Sequence, residues 1–170
     1  RMVHPLAKFR GLDTVAVAGK VIEVIREYSP DAVFIDGVGV GGGVVDQIRA
    51  RNFDLSVFDV NAGARATDDK TYANKGAEMW GEMKEYLKAG AELPDDAELR
   101  EELTARQYGF THLQQIQLEK KDEMKKPDRL GRSPDCADAL ALTFAETVGP
   151  RRRHSSGVGG HGGSGGWMGA

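Results

Sequence analysis

Three groups of residues in this chain have types and spacings suited to chemistry. The first is Asp36 with the loop Gly37-Val38-Gly39-Val40-Gly41-Gly42-Gly43. An acid leaving the end of a short apolar run sits where α/β proteins place ligands, at the carboxyl edge of the sheet. The glycines let backbone approach that edge closely. A dinucleotide site competes for the same residues. Gly37, Gly39 and Gly42 fit G-x-G-x-x-G, a helix follows, and Asp59 ends the next strand at about the expected offset. Two features count against it: a carboxylate at the mouth would repel a pyrophosphate, and a helix precedes the strand. The plain alternative is a glycine-rich turn with a solvated carboxylate.

The second group is Ser133-Pro134-Asp135-Cys136-Ala137-Asp138-Ala139-Leu140. Asp135 and Asp138 are three apart and so share a face of the first helical turns. Asp135 is explained as a helix-dipole residue. Asp138 is not, because it stands among Ala137, Ala139, Leu140 and Ala141, where an unpaired carboxylate is costly to bury. It needs a cation, either a divalent metal or an arginine such as Arg129 or Arg132. The third group is the run Lys120, Lys121, Lys125, Lys126, Arg129 and Arg132, interrupted by Asp122, Glu123 and Asp128. Such a run is ordinarily a solvated face, but here it leads into the acidic helix and could set phosphate-binding cations beside a metal site. His4, His112, His154 and His161 have no metal-ligand spacing with one another. Cys136 has no histidine partner and reads as helix packing, and Trp80 with Met79 and Met83 reads as core.

The elements that position these groups follow from periodicity. Asp13 or Thr14 opens a helix whose Val17, Ala18, Val21, Ile22 and Ile25 form an apolar stripe, and Ser29-Pro30 stops it. Ala32–Asp36 reads as a strand buried on both faces, Val44–Arg51 as a short helix and Leu55–Val60 as a second strand. That alternation favours an α/β fold with a parallel core. A helix is expected from about Thr71 to Lys88, ended by Gly90, and another from Asp95 or Asp96 through Leu103. Gln115–Leu118 reads as a strand. In the last helix Ser133 caps, Pro134 takes the first turn and the helix runs through Phe144. Arg1–Gly11 reads as an edge strand or an arm. Residues 150–170, rich in glycine, serine and histidine, read as a disordered tail behind a single domain over 1–149.

Composition narrows the classes. The chain has 170 residues, 40% hydrophobic and 29% charged, which suits one globular domain. No apolar run approaches the roughly 18–20 residues of a membrane helix. One cysteine excludes an internal disulfide, so an intracellular site is expected. A net charge of −3 excludes a generally basic surface but not a local one.

Taken together, Asp36-Gly37-Val38-Gly39-Val40-Gly41, Lys75-Gly76-Ala77-Glu78-Met79-Trp80 and Arg129-Leu130-Gly131-Arg132-Ser133-Pro134-Asp135-Cys136-Ala137-Asp138-Ala139-Leu140 resemble the C-terminal nuclease domain of phage terminase large subunits, in order from about Val3 to Thr147. The last of these motifs is the most specific. The resemblance implies a ribonuclease-H-like fold, a mixed sheet flanked by helices, with acids that bind two Mg²⁺ or Mn²⁺ ions. Asp36 then matches the acid on the second core parallel strand, Asp138 the acid on the C-terminal helix, and Asp135 a neighbouring position that helps complete the site. Asp36 and Asp138 are expected in one open pocket with Asp135 at its rim. The resemblance also implies two-metal cleavage of concatemeric double-stranded DNA, with the lysine run on the DNA backbone. Its implied partners are the portal and the small terminase subunit, in the cytoplasm of an infected bacterium. The family's first strand, with its own acid, finds no match in Arg1–Leu12, and no G-x-x-x-x-G-K-[ST] loop of an ATPase occurs. A fragment with an incomplete sheet and impaired cutting is therefore expected. The competing classes are a dinucleotide-binding module at Gly37–Gly43 and a non-catalytic DNA-binding fragment with Asp36 and Asp138 purely structural.

Overall fold

The computed structural model describes residues 2–39 and 41–149. Arg1, Val40 and the expected tail over 150–170 lie outside the described residues. Helix α1 (Thr14–Tyr28) starts at Asp13, whose carboxylate accepts from the Ala16 amide at 2.8 Å. It ends where Ser29 turns left-handed, ahead of Pro30. Strand β1 (Ala32–Asp36) pairs in parallel with β2 (Ser56–Val60), in the register Ala32↔Ser56 to Asp36↔Val60. Between them runs α2 (Gly41–Arg49), which begins inside the glycine loop, three residues before the apolar pattern starts at Val44.

The loop glycines serve close packing. A Cβ at position 41 would lie 1.8 Å from the Asp36 carbonyl oxygen, and one at Gly37 would lie 1.5 Å from Asp59 Oδ1. Only a residue without a side chain lets α2 begin directly against the end of β1.

The β1–β2 pair is a septum between two cores. Val33, Ile35 and Val57 face α1 and α2, where Ala18, Ile22, Ile25, Val44 and Ile48 are buried. Phe34 and Phe58, stacked at 4.8 Å, face the opposite way with Val60. There they meet Met79 and Met83 of α3 (Lys75–Lys88) and Leu140 and Ala141 of α6 (Asp135–Leu142). Strand alternation thus puts Asp36, two residues after Phe34, on the α6 side.

The second half of the chain departs from the sequence expectations in several places. Asn74 caps α3, its side chain accepting from the Ala77 amide at 2.9 Å, so the helix starts at Lys75 and not at Thr71. Thr71–Ala73 is instead extended against Ile116, which exchanges hydrogen bonds with it at 2.8 and 2.9 Å. Helix α4 (Ala97–Ala105) is capped by Asp96 as expected. The strand expected at Gln115–Leu118 is β4 (Ile116–Leu118), and it has an antiparallel partner in β3 (Tyr108–Phe110). The charged segment contains the short helix α5 (Lys121–Met124), which buries Met124. Pro134, not Ser133, holds the N-cap position of α6, and the helix closes at Leu142 instead of Phe144.

The α/β architecture is as expected, but its sheet is not one mixed sheet. Among the described residues the strands form two separate pairs, β1–β2 parallel and β3–β4 antiparallel. With β2 as its single neighbour among the described residues, β1 is packed on both faces but only half-buried over Ala32–Ile35. The N-terminal arm crosses to α4. Val3 donates to the Glu92 carbonyl at 2.8 Å, and Lys8 pairs with Asp96 and Glu98 at 2.7 and 2.8 Å. No described helix is long and apolar enough to cross a membrane.

Candidate functional site

Asp36 and Asp138, a hundred residues apart in the chain, line the same small cavity at the carboxyl end of β1. Ala62, Gly76, Met79, Trp80, Arg106 and Lys121 complete most of its wall. Asp36 is exposed and its Oδ1 accepts from the Val38 amide at 3.2 Å, an Asx-type turn that aims the carboxylate at the loop mouth. Asp138 comes from the first turns of α6. Asp135 is exposed on the same helix and is not among the residues lining the cavity.

Three groups converge on Asp138. Trp80 Nε1 donates to Oδ1 at 2.9 Å, Arg106 Nη1 donates to the same oxygen at 2.6 Å, and Lys121 Nζ lies 2.7 Å from Oδ2. The lysine contact lacks hydrogen-bond alignment, which leaves Oδ2 buried with no hydrogen-bond partner. Arg106 also stacks over the Trp80 ring at 4.7 Å, so one guanidinium is shared between a carboxylate and an indole face. The arginine that answers Asp138 is therefore Arg106, and neither Arg129 nor Arg132.

Those two arginines are spent elsewhere. Arg129 forks onto Glu119 at 2.7 and 3.0 Å and donates to the Ala105 carbonyl at 3.0 Å. Glu119 in turn accepts from the Gln107 amide at 3.2 Å. The Arg129 guanidinium holds the Glu119 carboxyl below the usual range. This bridge grips residues 105–107 from both sides and so fixes the segment that presents Arg106. Arg132 pairs with Glu101 at 2.8 Å and approaches Glu98 and Glu102 at 3.5 Å, away from the cavity. Of the lysines, Lys121 alone lines the cavity. Lys120 is exposed at the start of α5, and the exposed Lys125 and Lys126 pair with Asp122 and Glu123 of the preceding turn.

Two partners of the acidic helix were not visible in the sequence. One is Arg106. The other is Glu102, wholly buried, whose Oε2 accepts from the Ala137 amide at 2.9 Å and so satisfies the N-terminus of α6 in place of Ser133. Burial pushes the Glu102 carboxyl above its usual range. The available signal was its place on the apolar stripe of α4, beside Leu99 and Leu103. Ligand atoms of Glu98, Glu102 and Cys136 also fall within 4.8 Å of one another. However, Lys8 and Arg132 already neutralise those carboxylates, and burial pushes the Cys136 thiol up.

This arrangement can hold a hard cation through oxygen, or a phosphate through Arg106 and Lys121, at one point on the surface.

No family model and no curated protein matches the chain. Solved structures do. A mutant nuclease domain of the large terminase subunit gp2 of bacterial virus Sf6, determined with manganese and beta-thujaplicinol, superposes with a TM-score of 0.73 at 21% identity, covering 87% of this chain and 79% of that one. The same nuclease domain without the mutation gives 0.64 at 22% identity, over 78% and 72% of the two chains. A mutant form with calcium gives 0.60 at 22%, over 76% and 71%. The chain has the fold of the nuclease domain of a large terminase subunit.

Proposed function

We propose that the chain is the nuclease part of a viral DNA-packaging terminase large subunit, an endonuclease that cuts concatemeric double-stranded DNA by two-metal phosphodiester hydrolysis. The observation that carries this reading is the meeting of Asp36 and Asp138 in one cavity, within a fold shared with terminase nuclease domains. The donor set suits Mg²⁺ or Mn²⁺. It is carboxylate oxygen without useful histidine or thiol, and Asp138 Oδ2 is a buried acceptor lacking a hydrogen bond. When bound, such ions clamp a phosphodiester and stabilise its attacking and leaving oxygens.

Asp36 and Asp138 would be the ligands; Asp135, exposed in the first turn of α6 and outside the cavity lining, would be the neighbouring acid that the resemblance adds to the site. Trp80 Nε1 holds the Asp138 carboxylate in one orientation. Arg106 and Lys121 balance its charge, and both could pair with a phosphate held beside it. Lys120, Lys125 and Lys126 would track the DNA backbone with little base discrimination. The portal, the small terminase subunit and a place in the cytoplasm of the infected host belong to the same proposal.

The charge pairing of Asp138 with Arg106 and Lys121 favours one rival, a non-catalytic fragment in which that aspartate is a structural ion-pair partner. Calorimetric titration with Mn²⁺ separates the two. Asp138→Asn and Asp36→Asn are expected to abolish or strongly weaken Mn²⁺ binding while leaving the circular dichroism spectrum unchanged. If Asp138→Asn lowers the melting temperature of a chain that still folds and leaves its Mn²⁺ binding intact, the structural reading holds. Nicking of supercoiled plasmid under Mn²⁺, lost in Asp36→Asn, would establish the activity directly.

A further inference from the structure

A second and larger cleft, about 490 Å³, adjoins the acidic cavity, and Trp80, Arg106 and Leu118 line both. Its walls carry four aromatic rings, Tyr72, Trp80, Tyr108 and Phe110. Tyr108 and Phe110 project from β3, 56% and 62% exposed, and meet edge to face at 6.0 Å. Three cations, Lys84, Lys88 and Arg106, line the cleft and no acid does. Two of them sit on rings, Lys84 Nζ 5.2 Å from the Tyr108 centroid and Arg106 4.7 Å from that of Trp80.

This mixture selects among occupants. Arg106 and Lys88 already meet acids outside the cleft, Asp138 and Glu85 at 2.6 and 2.7 Å, whereas Lys84 lies over the Tyr108 ring, and a wholly apolar occupant would leave that ammonium unanswered. Paired duplex offers phosphates but keeps its ring faces stacked inside. An unpaired nucleotide supplies both a base to lie on an aromatic ring and a phosphate for the cations around it. Continuity with the acidic cavity fixes which nucleotide. A strand whose phosphate rests between Asp36 and Asp138 passes Arg106 and Trp80 as it leaves.

Resting on the nuclease reading above, we propose that this cleft binds an unpaired nucleotide of the DNA strand whose neighbouring phosphodiester lies at Asp36 and Asp138. The substrate it fits is DNA opened at or beside the cut, by an overhang, a mismatch or local melting.

Binding in EDTA tests this without cleavage. The 170-residue chain is titrated into oligonucleotides carrying a fluorescent adenine analogue, either in a single-stranded overhang or paired within a blunt duplex of equal length. The overhang DNA is expected to bind about tenfold more tightly, with quenching of the analogue as it stacks. The double variant Tyr108→Ala/Phe110→Ala removes two exposed rings, so its melting temperature should stay unchanged. It should lose the tenfold preference and the quenching while keeping its affinity for blunt duplex. Lys84→Ala should lower the salt slope for overhang DNA by about one and leave that for blunt duplex alone. Equal affinity for the two DNAs, or a preference the double variant retains, overturns the proposal. So does concentration-dependent self-association that Phe110→Ala abolishes, since the cleft would then be filled by a second copy. Each of these results leaves the nuclease reading standing, because Mn²⁺ binding by Asp36 and Asp138 is measured separately.

Discussion

Glu102 shows how one side chain can stabilise a helix end and still work against the fold at neutral pH. Its carboxyl takes the Ala137 amide at 2.9 Å in a wholly buried position, and burial raises its proton affinity above the usual value of 4.5. The folded state therefore holds that proton more tightly than the unfolded chain does. Its contribution is fully present below about pH 4 and is lost as pH rises toward the raised folded value. Glu102→Gln keeps a carbonyl acceptor and never ionises. It is expected to melt a few degrees above the parent near pH 7.5 and level with it near pH 4. Glu102→Ala should lose about 2–4 kcal/mol at either pH, from the emptied volume and the stranded amide. A parent that melts above Glu102→Gln at pH 7.5 would show that the approach of Arg132 outweighs burial. The same residue marks where sequence reading stops. The sequence points to Ser133 as the cap because it adjoins the helix, and offers Arg129 or Arg132, beside a divalent metal, as the cation for Asp138 because they adjoin it too. The actual partners, Glu102 and Arg106, lie 35 and 32 residues away. Local spacing shows that a helix end or a carboxylate needs a partner, but only the packing of α4 on α6 determines which residue answers.

At the scale of elements, the helix–strand–helix–strand run over Asp13–Val60 was legible because each piece carries its own period and stop signal. Strand β3 was not, since Tyr108-Gly109-Phe110 is three residues long, all exposed, with a glycine in the middle. Its pairing comes from β4 and not from its own pattern. The glycine loop was legible as a place of close approach, but what approaches is α2 itself. That assigns Gly41 a measurable role. A Cβ there would lie 1.8 Å from the Asp36 carbonyl oxygen, well inside any tolerable contact with backbone. Gly41→Ala must push α2 off the end of β1, although alanine is otherwise the better helix residue. The expected result is a loss of about 1–3 kcal/mol in urea melts, typical of a forced backbone shift. Mn²⁺ affinity should fall as well, because the clash falls on the backbone of Asp36 itself. Gly42→Ala, whose Cβ would stand 3.6 Å from the Gly37 carbonyl oxygen, is the control and should be neutral or stabilising.

For the whole molecule, the proposed function poses the question of how a chain of net charge −3 would hold a polyanion. The charge is partitioned. Acids pair with Lys8, Arg129 and Arg132 and tie the arm, the β3–β4 region and α6 to α4. Around α5, Lys120, Lys125 and Lys126 face water, and among the described residues Lys125 and Lys126 make weak surface pairs with Asp122 and Glu123, whereas Lys121 is held by Asp138. A phosphate can displace such contacts readily, whereas freeing Arg129 would break its bidentate grip on Glu119 and the hold on Ala105. Lys121 apart, the cations of the run therefore divide into two classes with opposite signatures. Lys120→Ala/Lys125→Ala/Lys126→Ala is expected to leave the melting temperature within about 2 °C of the parent. It should weaken duplex binding and flatten the slope of log affinity against log salt by up to about 3, near 0.9 for each phosphate that is no longer neutralised. Arg129→Ala should instead destabilise the fold by about 2–3 kcal/mol, by stranding Glu119. Its salt slope should not change for the fraction that remains folded. Arg106 would also be released from the grip on residues 105–107, so Mn²⁺ affinity should shift in Arg129→Ala but not in the triple lysine variant. An unchanged salt slope in the triple variant would move the DNA path away from α5, and the duplex would then have to approach the acidic cavity past the loop of residues 61–72.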